Sequence, residues 1–150
     1  MPQSLAKILV HLIFSTKSRE PVLHDDVRPE LHKYLAKILK EFDSPAILIN
    51  SVEDHVRILF SHSKNHALIK IVEELKKNSS KWIKTKSTQY ARFHWQNGYG
   101  AFSVSQSNAK TVEDYIANQA EHHRCKTFQE EYREFLNKYE VVFDERYVWD

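Results

Sequence analysis

The chain has a single cysteine, Cys125, one methionine, two glycines and four prolines among its 150 residues. One thiol cannot close an internal disulfide, so a disulfide-stapled scaffold is excluded. So few glycines and prolines leave little room for long irregular loops, and a compact chain is expected. Long hydrophobic runs are also missing: the longest apolar stretch, Ile8 to Phe14, is interrupted by His11 and is far too short to span a bilayer. There is no charged-then-apolar leader, and a cytoplasmic location with no membrane partner is expected. Nor does charge of one sign dominate. The net charge of +2 does not announce a polyanion partner, so the distribution of charge carries more information than its sum.

What is present is ordinary for a globular chain, 41% hydrophobic and 28% charged residues. Residues 1–150 suit one domain able to bury roughly two thirds of its unfolded surface. Nine histidines are many for this length, and small changes of surroundings make them charged or ligating.

The apolar periodicity predicts the elements. Leu5 to Ser15 alternates Ile8, Val10, Leu12 and Phe14 against Leu9, His11 and Ile13, a strand apolar on both faces and therefore central. Asp25 or Asp26 can cap a helix with Pro29 in its first turn, carrying Leu31, Tyr34, Leu35, Ile38, Leu39 and Phe42. Ala46 to Asn50 and His55 to Ser61 form a hairpin of strands, the second placing His55, Arg57 and Leu59 on one face. From Asn65 the period is helical again, with Leu68, Ile71, Val72, Leu75 and Trp82 on one side. Gly100 to Ser105 is a fourth strand after a turn at Asn97 and Gly98. A helix over Thr111 to Arg124, capped by Ser107 or Asn108, precedes a last helix that starts with a capping box, Thr127 to Glu130. The tail carries Phe143, Tyr147 and Trp149, which suit docking on the domain or on a second copy. This order implies an α+β fold: one four-stranded antiparallel sheet in split βαβ (ferredoxin-like) order, helices on one face, and added C-terminal helices.

Three features carry possible chemistry. On the helix from Thr111, position 119 of the apolar stripe is Gln119, one turn beyond Tyr115. A phenol and an amide would then point into one space, either as a core tyrosine satisfied by an amide or as a site. On the sheet, the first and third strands are central neighbours, so His11, His55 and Arg57 can meet on one face, and buried polar groups there need partners. Between Lys64 and Lys86, seven lysines face two glutamates, which reads either as a solvated helix surface or as a face that tracks phosphates.

The runs DHVRILF, LKKNSSKWIKTK, WQNGYGAFSVS and YIANQAEHH, in this order, resemble the single-tyrosine DNA transposases of the HUH superfamily, including their REP-associated relatives. The resemblance spans almost the whole chain. It implies that a His-hydrophobic-His pair and a helical glutamine or histidine hold Mg²⁺ or Mn²⁺. It further implies that a helical tyrosine cuts single-stranded or hairpin DNA, stays attached through a 5′-phosphotyrosine, and works in a homodimer. Matched residue by residue, the nucleophile is Tyr115, the metal ligands are His55 and Gln119, and the second motif histidine falls on Arg57.

These roles make chemical sense. A phenol with a pKa near about 10 is scarcely ionised at neutral pH, so attack on a phosphodiester needs an activated nucleophile or a polarised phosphorus. Arg57 departs from the pattern, because a guanidinium cannot ligate a cation and repels one beside it. It is, however, a good bidentate phosphate ligand. Two readings follow: cleavage with weakened metal affinity, or a catalytically decayed DNA-binding relative. Lys17, Arg19, Lys81, Lys84 and Lys86 are candidates for phosphate contact, and Trp82, Trp95 and Tyr99 for base stacking or for the core. His122 and His123 either supply a ligand or sit exposed at a helix end. His11 either supports His55 or is a satisfied buried histidine.

Overall fold

Alternation along the two central strands sorts their side chains into two apolar faces, and each face recruits its own pair of helices. The computed structural model describes residues 2–120 and 126–150. Strands β1 (Leu9–Ser15), β2 (Ala46–Ser51), β3 (His55–Ser61) and β4 (Gly100–Val104) form one sheet in the order β2-β3-β1-β4, with every neighbouring pair antiparallel. This is the split βαβ order. Helices α1 (Arg28–Glu41) and α2 (Leu68–Lys84) cover one face. There Val10, Leu12, Phe14, Val56, Ile58 and Phe60 pack against Leu31, Leu35, Ile71 and Leu75 in the main core. Each fully buried side chain of this kind contributes about 1.5–3 kcal/mol.

The opposite face carries the C-terminal helices, α3 (Ala109–Ala117) and α4 (Phe128–Lys138). Ile116 of α3 packs on Leu9, Leu59 and Val104, while Phe128, Tyr132 and Leu136 of α4 pack on Ile13 and Phe102. Gly100 is required by close approach: a Cβ there would lie 2.7 Å from Cε2 of Tyr132. The tail docks on its own domain, with Phe143 and Trp149 against the α4 cluster. Trp149 donates to Glu145 at 3.2 Å, and Glu145 in turn holds Arg133 of α4.

Several boundaries differ from the sequence expectation. β1 begins at Leu9, not Leu5; Leu5 and Ile8 are exposed, so alternation there has no second layer to bury against. Neither Asp25 nor Asp26 caps α1, whose cap position is Val27, and Asp25 instead pairs with Arg28. α2 begins at Leu68 rather than Asn65. The helix expected over Thr111 to Arg124 is interrupted at Asn118: residues 119–120 are helical again, residues 121–124 lie outside the described residues, and α3 ends at Ala117. Asn118 ends it by turning its own side-chain amide back onto the carbonyl of Asp114 at 2.8 Å, and Asn50 of β2 donates to the carbonyl of Ile116 at 2.8 Å. His122 and His123 lie outside the described residues. The capping box of α4 is present on one side, with Thr127 Oγ1 accepting from the Glu130 amide at 3.1 Å. No helix among the described residues is long and apolar enough to cross a membrane.

Candidate functional site

The register of β1 and β3 sets Ser15 opposite His55, Ile13 opposite Arg57 and His11 opposite Leu59, so His11, His55 and Arg57 share the face beneath α3 and α4. All three are buried. Arg57 is 0% exposed, and such a charge needs a buried counter-charge. Glu131, 3% exposed on the first turn of α4, supplies it, with Oε2 accepting from Arg57 Nη2 at 2.6 Å. The second oxygen of Glu131 accepts the hydroxyl of Tyr115 from α3. The Arg57 guanidinium also lies 5.3 Å from the centre of the Tyr115 ring and 5.5 Å from that of Phe135. Sheet, α3 and α4 thus meet in one arginine, glutamate and tyrosine group.

Electrostatics in this group favour bound protons on the phenol and none on the imidazoles. Burial, reinforced by the bond to Glu131, pushes the Tyr115 hydroxyl well above the usual tyrosine range, and the nearby Arg57 charge only partly offsets this. Burial and then Arg57 lower His11 to about 3. Burial also pushes His55 below its ordinary value, against the opposing bond from Asp54. The carboxylate of Asp54 can only accept, so the 2.7 Å contact makes Nδ1 of His55 the donor and assigns the lone pair to Nε2. Phe128 stacks on the His55 ring with centroids 4.3 Å apart.

His55 is oriented as a metal-ligating histidine would be. The rest of the set does not suit a divalent cation. Arg57 brings a positive charge where a second imidazole is needed, and Gln119, though buried with no hydrogen-bond partner for its amide among the described residues, is a neutral and weak ligand. No group of three histidine, cysteine, aspartate or glutamate side chains that could hold a metal exists among the described residues. Among the described residues, His55, Arg57 and Gln119 therefore do not by themselves form a donor set that fits Mg²⁺ or Mn²⁺.

The cationic candidates divide. Lys17 is exposed and Arg19 partly so, in a turn where Ser18 and Arg19 adopt left-handed φ values of 57° and 55°. A cavity of about 230 Å³ opens beside the site between Arg19, Asp54, Thr127, Phe128 and Gln129. Lys81, Lys84 and Lys86 are exposed at the end of α2, on the helix layer away from Tyr115, and Lys86 lies 3.7 Å from Glu30. Lys76 is structural: its ammonium binds the carbonyls of Gln96 and Gly98 at 2.9 and 2.6 Å, and burial lowers it to about 8. Trp95 belongs to the core, donating to Ser79 at 2.9 Å. Trp82 is half-buried against Tyr34, and Tyr99 packs against the core.

Glu131, Phe128 and Phe135 were not among the expected site residues. One signal was available. Glu131 follows Phe128 by three residues and precedes Phe135 by four, which puts a carboxylate on the apolar stripe of α4.

Solved structures share this fold. A candidate transposase from Deinococcus radiodurans R1 is 25% identical, with a TM-score of 0.62, and the alignment covers 79% of this chain and 98% of that one. A REP-associated tyrosine transposase bound to a REP hairpin has a TM-score of 0.62 at 13% identity, covering 82% of this chain and 73% of that one. None of the curated proteins is a match to the sequence. A family model described as IS200-like transposase matches residues 4–119, and the chain belongs to that family of DNA-cleaving enzymes. Arg57, Tyr115 and Gln119 fall inside the matched segment, whereas Glu131 and all of α4 fall beyond it.

Proposed function

We propose that this chain binds single-stranded or hairpin DNA and that its tyrosine site is catalytically decayed. The observation that carries this reading is the buried Arg57–Glu131 pair at the place where the family resemblance expects the second metal-binding histidine. Lys17, Arg19, Lys81, Lys84 and Lys86 supply the phosphate contacts, and pairing with a second copy in the cytoplasm belongs to the same proposal. The hairpin held by the REP-associated neighbour supports a hairpin as the probe. A second reading, cleavage and rejoining through a 5′-phosphotyrosine on Tyr115, draws support from the Arg57 guanidinium beside the phenol ring, a group able to bind a phosphate next to the hydroxyl.

The test is incubation with labelled single-stranded hairpin DNA from the flanks of the gene, with Mn²⁺ or Mg²⁺, followed by denaturing electrophoresis. The expected result is salt-sensitive binding and no covalent adduct from the native protein, with adduct appearing after Arg57→His. Adduct from the native protein that disappears in Tyr115→Phe establishes the second reading instead. Binding that does not weaken as salt rises removes the phosphate-contact assignment.

A further inference from the structure

Glu131 lies outside the segment that matches the family, yet it sits at the centre of the site and divides its two oxygens between two donors. One takes Nη2 of Arg57 at 2.6 Å and the other takes the hydroxyl of Tyr115. A phosphodiester presents the same pattern, two non-bridging oxygens sharing one negative charge, and a guanidinium beside a hydroxyl is a good receptor for it. We propose that Arg57 and Tyr115 form a phosphodiester-binding site, that Glu131 occupies it as an internal phosphate mimic in the DNA-free protein, and that α4 moves aside when a DNA phosphate takes its place. This rests on the reading of the protein as a DNA-binding one.

Three observations support the exchange. Nε and Nη1 of Arg57 are buried with no hydrogen-bond partner among the described residues, so the carboxylate uses only part of the donor fork and a phosphate can use more. Other contacts of α4 with the polar groups of this face are ring contacts, Phe128 on His55 and Phe135 against His11, Arg57 and Tyr115. Among the described residues, no backbone hydrogen bond ties α4 to the sheet, so the helix can part from it without breaking a ladder. The cavity at the start of α4 is lined in part by Arg19, a cation beside the covered site.

The test compares native protein with Glu131→Gln, which keeps the shape and removes the charge. Binding of a fluorescent single-stranded hairpin is measured by anisotropy across a salt series. Glu131→Gln is expected to bind about tenfold tighter, with a salt slope steeper by about one phosphate contact. The gain is expected to vanish when Arg57→Gln is added. Equal or weaker binding by a folded Glu131→Gln protein overturns the mimic. In native protein, the amides of residues 128–138 are expected to lose protection from hydrogen exchange when the hairpin is added, a readout that needs no variant to fold. Unchanged or increased protection there also overturns it. A native protein that fails to bind the hairpin at any salt concentration defeats the DNA-binding reading itself, and the mimic with it.

Discussion

At Arg57 the sequence places a full positive charge on the inner face of a central strand, and the fold answers it with the carboxylate of Glu131. Neither member of such a pair tolerates the loss of the other, because the survivor keeps its desolvation cost without the compensating attraction. Glu131→Ala is therefore expected to lower stability by about 3–5 kcal/mol in urea unfolding. The double change Arg57→Met with Glu131→Met is expected to lie much nearer the native value, and equal losses in both proteins would show that the pair is not what the site depends on. The sequence made Gln119 and Arg57 visible because each interrupts an apolar pattern. Glu131 interrupts one too, but it stands beside Glu130 in the first turn of α4, where acidic residues are expected for a different reason. Its partner lies 74 residues away, a pairing no local pattern discloses.

At the scale of elements, the type and order of the strands and helices were legible, since periods of two and of three to four alternate along the chain. The end of α3 was not. Tyr115 and Gln119 suit a continuous helix by spacing, and the interruption comes from Asn118 and from Asn50, a residue of the edge strand that takes up a carbonyl of the last turn. The two site residues consequently lie on either side of a break at Asn118, with the backbone helical again at residues 119–120. How closely α4 lies on the sheet depends on Gly100. Gly100→Ala would press a methyl group into Tyr132, and overpacking of this kind costs about 1–3 kcal/mol. A lowered midpoint in thermal unfolding is expected, with partial recovery in the double variant Gly100→Ala with Tyr132→Leu; a midpoint equal to the native one would mean that α4 lies loosely there.

The whole molecule divides into a conventional core on the α1–α2 face and a second face under α3 and α4 where apolar clusters surround His11, His55 and the Arg57–Glu131 pair. The first was readable from composition and alternation. The second was readable only as a gathering of His11, His55 and Arg57, because what covers them is set by tertiary packing. This division affects acid stability. Unfolded His11 takes a proton near pH 6.5, whereas in the folded protein, buried and beside Arg57, it takes one only near about 3. As pH falls through that window the unfolded state binds the proton and the folded state does not, so stability drops by up to about 1.4 kcal/mol per pH unit from this group. Above pH 6.5 it contributes no slope. His11→Leu is expected to flatten unfolding free energy between pH 6 and 4, measured in urea, and an unchanged slope would assign acid sensitivity to other groups. The Arg57–Glu131 pair has one more consequence, for the history open to the sequence. Changing Arg57 to histidine by itself strands Glu131 in the interior, and changing Glu131 by itself strands Arg57. Each single step passes through a weakened protein, so the pair works as a lock on both positions: easy to keep, hard to replace one codon at a time.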